Sequence, residues 1–226
     1  MKIRERSYSG HSSRPKPLIH EEFGGELWVF ATPWGNSSVG QIVTDAIVKY
    51  ISAARGDVEV TSPFEFMTCY SSEANALRVA TLLANDLLYR SENKSEYATL
   101  IELVVLWKKD KKISWVQCGG PQIFIKKPGQ DLCALSVVVD NSMDIFAVNN
   151  EISPLPSMGL GLESSCPLSV GSCVMEQDDQ LILLSCSKTP RDLWQITDSD
   201  IDLQKMIQKM SPQVDNRPFW VGILGN

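Results

Sequence analysis

With two histidines, His11 and His20, and six cysteines in no Cys-x-x-Cys pair, this 226-residue chain has few ways to build a reactive centre. A histidine-rich metal cluster is excluded, and a Ser/His/Asp triad would depend on one of two histidines close to the chain start. Cys186-Ser-Lys-Thr-Pro-Arg191 is one residue too short, and lacks the glycine, for a loop that cradles phosphate about a low-pKa thiolate. There is no Gly-x-Ser-x-Gly nucleophile turn and no P-loop, and Gly159 opens only a broken Gly-x-Gly-x-x-Ser.

The elements that must position any site follow from periodicity. Residues 26–31 read as a buried strand, followed by a tight Pro/Gly turn at Pro33 to Gly35. A helix over 37–51 comes next, its apolar face formed by Val39, Ile42, Val43, Ala46, Ile47 and Tyr50 and its cap expected at Ser37 or Ser38. A turn region over 56–63 leads to a second helix from Ser71 to about Tyr89, closed by polar residues 91–96. Residues 99–107, 113–118 and 122–126 read as a meander, with turns at Lys108 to Lys112 and at Gly119 to Pro121. Strands are expected over 142–148, 180–186 and 219–224, and a short amphipathic helix over 200–210. Helices placed early among strands, then antiparallel-looking strands, point to packed sheets covered by helices rather than a doubly wound βαβ fold.

Composition is ordinary for a globular chain, 43% hydrophobic and 21% charged, enough for one large domain or two small ones. The net charge of -6 argues against nucleic acid, whose phosphates need clustered cations. Residues 1–19 form a basic polar arm (Lys2, Arg4, Arg6, Arg14, Lys16) read as a solvated tail, and 20–226 a single domain. No apolar run reaches the roughly 18 residues that span a bilayer, and the charged start lacks the apolar stretch of a signal peptide. A soluble cytoplasmic protein with reduced, buried thiols is expected, in which the sequons at Asn36 and Asn93 carry no meaning. The six tryptophans read as core, except Trp34, which falls in the turn after the first strand.

Leu27-Trp-Val-Phe-Ala-Thr-Pro-Trp-Gly-Asn-Ser-Ser-Val-Gly40 resembles the "hydrophobic strand, Ala-Asp-Gly-Met-Gly-Gly, helix" signature of the metal-dependent type 2C (PPM) Ser/Thr protein phosphatases. Leu27, Val29, Ala31, Gly35 and Gly40 are in register, with Thr32 and Pro33 in place of Asp-Gly. Six further stretches follow the family in order. His20-Glu-Glu22 stands for Asn-Glu-Asp, and 99–105 for the strand after Gly-Thr-Thr. Val116 to Ile125 resembles the Val-Gly-Asp-Ser-Arg hairpin, with Gly119 kept, Gly120 for the aspartate and Gln122 for the arginine. Leu155 to Leu162 falls at the Leu-Gly segment. Leu181 to Thr189 puts Ser187 and Lys188 where Asp-Gly belongs, and only Asp215-Asn216 is intact.

The resemblance implies an α+β, four-layer αββα sandwich of two mainly antiparallel sheets flanked by helices. In the family, aspartates and a glycine carbonyl hold two Mn²⁺ or Mg²⁺ ions that activate a bridging water. Two ions roughly 3.5–4 Å apart need several carboxylates to offset their repulsion. Here those positions are Thr32, Pro33, Gly120, Ser187 and Lys188, with Asp215 and Glu22 as residual metal candidates and Asp192 a displaced one. The expectation is a catalytically inactive phosphatase-like domain, a degenerate member that acts as a protein-binding or regulatory module. It would hold no cofactor and meet a protein partner, a phosphoprotein or kinase, through a surface near Trp34 and Asn36. The alternatives are a divergent active phosphatase using Mn²⁺ or Mg²⁺, and a structural subunit of a larger assembly.

Overall fold

The computed structural model describes residues 1–9, 13–56, 62–94, 96–138, 154–213 and 217–225. Along the chain run β1 (Lys2–Tyr8), β2 (Leu18–Glu22), β3 (Leu27–Gly35), α1 (Val39–Gly56), α2 (Ser72–Glu92), β4 (Thr99–Lys109), β5 (Lys112–Cys118), β6 (Gln122–Lys126), β7 (Cys133–Ala134), β8 (Ser169–Val174), β9 (Gln180–Ser185), α3 (Leu203–Met210) and β10 (Phe219–Gly225). They form two antiparallel five-stranded sheets, β2-β3-β4-β5-β8 and β1-β10-β9-β6-β7. The architecture is the α+β class expected from the sequence, with antiparallel sheets and no βαβ winding. Among the described residues no helix is long and apolar enough to cross a membrane.

The chain divides into two compact units. The first sheet belongs to the unit made of Pro17–Gly119 and Met158–Met175. In β3 the pleat sends Leu27, Val29 and Ala31 to one face, where they join Val39, Val43, Ile47 and Ile51 of α1 and Leu77, Ala80, Ala84 and Leu88 of α2 in one buried cluster. The four-residue spacing of the α1 positions gives that helix its single buried stripe. Ser71 caps α2, its Oγ accepting from the Ala74 N–H at 3.2 Å, as expected. At α1 the outcome differs: Asn36 organises the turn, its Oδ1 accepting from Ser38 N–H at 3.1 Å and Ser38 Oγ–H at 2.9 Å. An Asx turn outcompetes a serine cap here because Asn reaches its own backbone two residues on.

The second sheet belongs to the unit made of Met1–Lys16, Gly120–Ser157 and Glu176–Asn226. Its core joins Phe124, Ile182, Leu184 and Val221 to Met206 and Met210 of α3. Lys2–Tyr8, inside the segment read as a polar arm, is an outer strand: it pairs residue by residue with β10, from Lys2↔Gly225 to Tyr8↔Phe219. Tyr8 stacks on Phe219 at 5.1 Å, and Trp220 Nε1 donates to the Glu5 carboxylate. The helix expected over 200–210 starts later, at Leu203, because Asp202 takes the cap and accepts from Gln204 N–H at 2.9 Å. β2, β7 and β8 were not expected. The strand expected over 142–148 lies outside the described residues. The thiols are also not uniformly buried, since Cys69 and Cys133 are exposed.

Candidate functional site

Thr32, at the position of the expected aspartate, is fully buried, and its Oγ1 has no hydrogen-bond partner. The strand register explains what surrounds it. Thr32 lies directly opposite Glu102 on β4, and Leu103 lies opposite Cys118 on β5, so Glu102 is flanked laterally by Thr32 on one side and Gly119 on the other. Glu102 is 1% exposed. Two residues beyond Thr32, on the same face, Trp34 Nε1 donates to Glu102 Oε2 at 2.9 Å. The row Thr32–Glu102–Gly119 is the centre of this unit's candidate site, and its middle member has no counterpart among the positions compared with the family.

Gly119 is fixed by space and backbone together. Its φ is +73°, and a Cβ there would sit 2.4 Å from the Met158 carbonyl oxygen and 2.9 Å from Glu102 Cγ. Met158 is so close because the chain re-enters beside β4, where Leu160 and Ile101 exchange backbone hydrogen bonds of 2.8 and 3.2 Å. Two buried asparagines hold that returning segment. Asn93 donates to the carbonyls of Thr99 and Gly161, both at 2.7 Å, and accepts from the N–H groups of Ala98 and Thr99. Asn85 accepts from Gly161 N–H at 2.8 Å and donates to the Glu163 carbonyl. The sequon at Asn93 is thus an internal clamp, 4% exposed.

Electrostatics favour a neutral side chain at Thr32. A second carboxylate there would stand about 5 Å from Glu102, a repulsion of about 3 kcal/mol at an effective dielectric near 20, before any desolvation. A neutral hydroxyl avoids that charge at the smaller cost of one unmade hydrogen bond, about 1–3 kcal/mol. Thr32 supplies only a neutral oxygen, and the Glu102 carboxylate already receives an indole N–H. Among the described residues no cluster of three His, Cys, Asp or Glu forms a cation site. The described donor set does not fit a two-metal centre.

The remaining sequence candidates fall in several places. Glu22 pairs with Leu27 at the far end of β3, five residues along from Thr32 or about 16 Å, and on the helix-facing side of the sheet. There it hydrogen-bonds His20 Nε2 at 2.9 Å, so the register does not bring it to Thr32. Asp215 and Asn216 lie outside the described residues. Asp192 is the second residue of a 3-10 turn, Arg191–Gln195, its N–H donating to Gln213 Oε1 at 3.2 Å. In the second unit, Gly120 precedes β6 and Ser187 follows β9, and the pairing Gln122↔Leu184 brings both off the same end of that ladder. Gln122, at the arginine position, accepts from Thr189 Oγ1 and donates to the Ser136 carbonyl, both at 3.0 Å. Lys188 is exposed, as is Asn36, whereas Trp34 and Pro33 are half-buried. Glu102 had one sequence signal: a lone acid inside the apolar run 99–107.

No family model and no curated protein matches this sequence. Solved structures do match its fold. The PPM Ser-Thr phosphatase MsPP from Mycobacterium smegmatis, in complex with cacodylate, superposes with a TM-score of 0.61 at 12% identity, covering 100% of this chain and 98% of that one. PppA, described as a key regulatory component of T6SS in Pseudomonas aeruginosa, gives 0.62 at 16% identity over 99% and 97%. The Mycobacterium tuberculosis serine/threonine phosphatase PstP/Ppp gives 0.59 at 13% identity over 100% and 99%. The two antiparallel sheets with their helices therefore have the fold of PPM phosphatases from end to end.

Proposed function

We propose that this chain is a catalytically inactive phosphatase-like domain that works in the cytoplasm as a protein-binding, regulatory module of phosphorylation signalling, with a phosphoprotein or a kinase as partner. The observation that carries the reading is the row Thr32–Glu102–Gly119. It has the glycine of the phosphatase motif, in a positive-φ conformation, yet a neutral hydroxyl with no hydrogen-bond partner at the aspartate position and a single carboxylate, which accepts from Trp34. A centre that activates water between two cations needs several convergent carboxylates, and this row supplies one. Fold alone does not carry activity, so the frame can persist where the chemistry does not. PppA, a fold relative described as a regulatory component, supports a regulatory use of this architecture.

The recognition surface is the loop 33–38. Trp34 is pinned at both ends of the residue: its indole donates to Glu102, and its carbonyl accepts from Thr99 Oγ1 at 3.1 Å. Gly35, Asn36, Ser37 and Ser38 are exposed beyond it, so the loop is presented rigidly and loses little entropy on binding. The test is turnover of p-nitrophenyl phosphate and of a phosphothreonine peptide with Mn²⁺, comparing the full chain with Asp215→Ala. Equal, background rates are expected. Metal-dependent turnover that Asp215→Ala abolishes would restore an enzyme.

A further inference from the structure

Cys118 ends β5, one residue before Gly119, and Cys166 lies on the returning segment that leads into β8. The register Val116↔Val170 and Gln117↔Ser169, carried one step further, sets Cys118 opposite Leu168 and diagonal to Cys166 on the same face. The packing agrees: Val116 and Cys118 belong to the buried cluster under α1 and α2, and Cys166, Leu168 and Val170 pack against it. Diagonal neighbours on one face stand about 7–8 Å apart, so a disulfide between them needs the segment just before β8 to move by about 1 Å toward β5 as the side chains turn toward each other. The two thiols already do so, Cys118 hydrogen-bonding Cys166. That bond, and then burial, push the Cys118 thiol up, while the same bond pulls the half-buried Cys166 thiol down.

We infer that Cys118 and Cys166 form a thiol pair that low-molecular-weight disulfides of the glutathione class oxidise to an intramolecular disulfide, stapling the returning segment to the strand end that carries Gly119. The step balances. The Cys166 thiolate attacks one sulfur of oxidised glutathione, forming a protein–glutathione mixed disulfide and releasing one glutathione thiolate. Cys118 then attacks the Cys166 sulfur, its proton passing to the departing second glutathione thiolate, which leaves as the thiol. Two protein thiols are oxidised and one small disulfide is reduced to two thiols. Cys166 is the entry point because it is half-buried and favours the thiolate, whereas Cys118 is 1% exposed and serves as the resolving thiol.

The consequence falls on the candidate site. The returning segment is held at Leu160 by Ile101, at Gly161 by Asn85 and Asn93, and at Glu163 by Asn85. The disulfide would add a covalent hold at Cys166, just before β8, and fix the Met158 carbonyl over Gly119 from its far side.

The experiment treats the reduced, folded full chain with oxidised glutathione, quenches it by acid and maps disulfides by mass spectrometry. The exposed Cys69 and Cys133 serve as internal controls. The expected result is a linked Cys118–Cys166 peptide pair, with Cys69 and Cys133 carrying glutathione only, and a rise in Tm that dithiothreitol reverses. In Cys118→Ala the glutathione adduct should persist at Cys166, and in Cys166→Ser the Cys118 thiol should stay unmodified. Circular dichroism on both variants confirms that they fold. Glutathione on Cys69 and Cys133 with Cys118 and Cys166 unlinked in the folded wild type, or linkage of Cys118 to any other cysteine, would overturn the inference.

Discussion

Asn93 and Thr32 are two buried polar residues of the same unit, and they are treated in opposite ways. Asn93 makes four hydrogen bonds to backbone groups of 98, 99 and 161, using both donor and acceptor ends. Thr32, equally buried, makes none. A side chain that the fold requires is saturated, because each orphaned backbone group would cost about 1–3 kcal/mol. Thr32 Oγ1 has no such partner, although the Glu102 carboxylate beside it accepts from the Trp34 indole. Under the proposed reading its hydroxyl stands where the resemblance expects an aspartate, while the asparagine clamps hold the segment around Gly119 in place.

Substitutions can break that contrast, starting with the most severe. Thr32→Asp should destabilise by about 4–5 kcal/mol, since it buries an uncompensated charge beside Glu102; urea unfolding at neutral pH measures it, and a loss under about 1 kcal/mol would mean the row is better solvated than its burial implies. Asn93→Ala should cost about 3–4 kcal/mol and raise amide exchange at Ala98 and Thr99, whose N–H groups it leaves unpaired, with the Gly161 amide, held by Asn85, as the internal control. Gly119→Ala should cost about 2–3 kcal/mol through positive-φ strain and the contact with the Met158 carbonyl.

Glu73 sharpens the contrast with a third treatment, a paired charge. It is 9% exposed, and although burial alone would raise its pKa, hydrogen bonds from Lys109, from its own backbone and from Ser72 hold it below the usual carboxylate range. A carboxylate whose folded pKa is depressed stabilises the fold above its unfolded pKa and loses that contribution as pH falls through the folded value. Urea midpoints of the wild type should therefore fall more steeply on acidification below about pH 4.5 than those of Glu73→Gln. The smallest effect belongs to Thr32→Val, which removes the orphan hydroxyl at nearly constant volume. It should be neutral or stabilise by up to about 1 kcal/mol in the same unfolding assay, the reverse of what a satisfied threonine would give.

The same contrast shows what the sequence could disclose. β3, β4 and β10 were legible because burial on both faces makes them nearly continuous apolar runs, β5 because it is bounded by a charged turn and a Gly-Gly-Pro turn, and α1 and α2 because their stripes repeat every three to four residues. β1 was not, since Lys-Ile-Arg-Glu-Arg-Ser-Tyr carries its side chains mostly to solvent and earns its place by backbone pairing to β10, which leaves no hydrophobic trace. β8 was hidden by Gly171, which stands in the strand because the Trp115 indole comes within 2.3 Å of where its Cβ would be. Thr32 was legible as a departure from a motif. Glu102 was not, because its importance comes from lying between Thr32 and Gly119, neighbours set by the pairing of three strands and not by proximity along the chain. Asn93 was misleading for a related reason: a local tripeptide pattern says nothing of whether the residue faces solvent.

The most direct test of the central claim is calorimetric titration of Mn²⁺ into the chelator-stripped full chain. The row Thr32–Glu102–Gly119 predicts no saturable heat, with or without Glu102→Gln. A saturable heat that Glu102→Gln or Asp215→Ala removes would contradict it and show that this frame still assembles a metal centre.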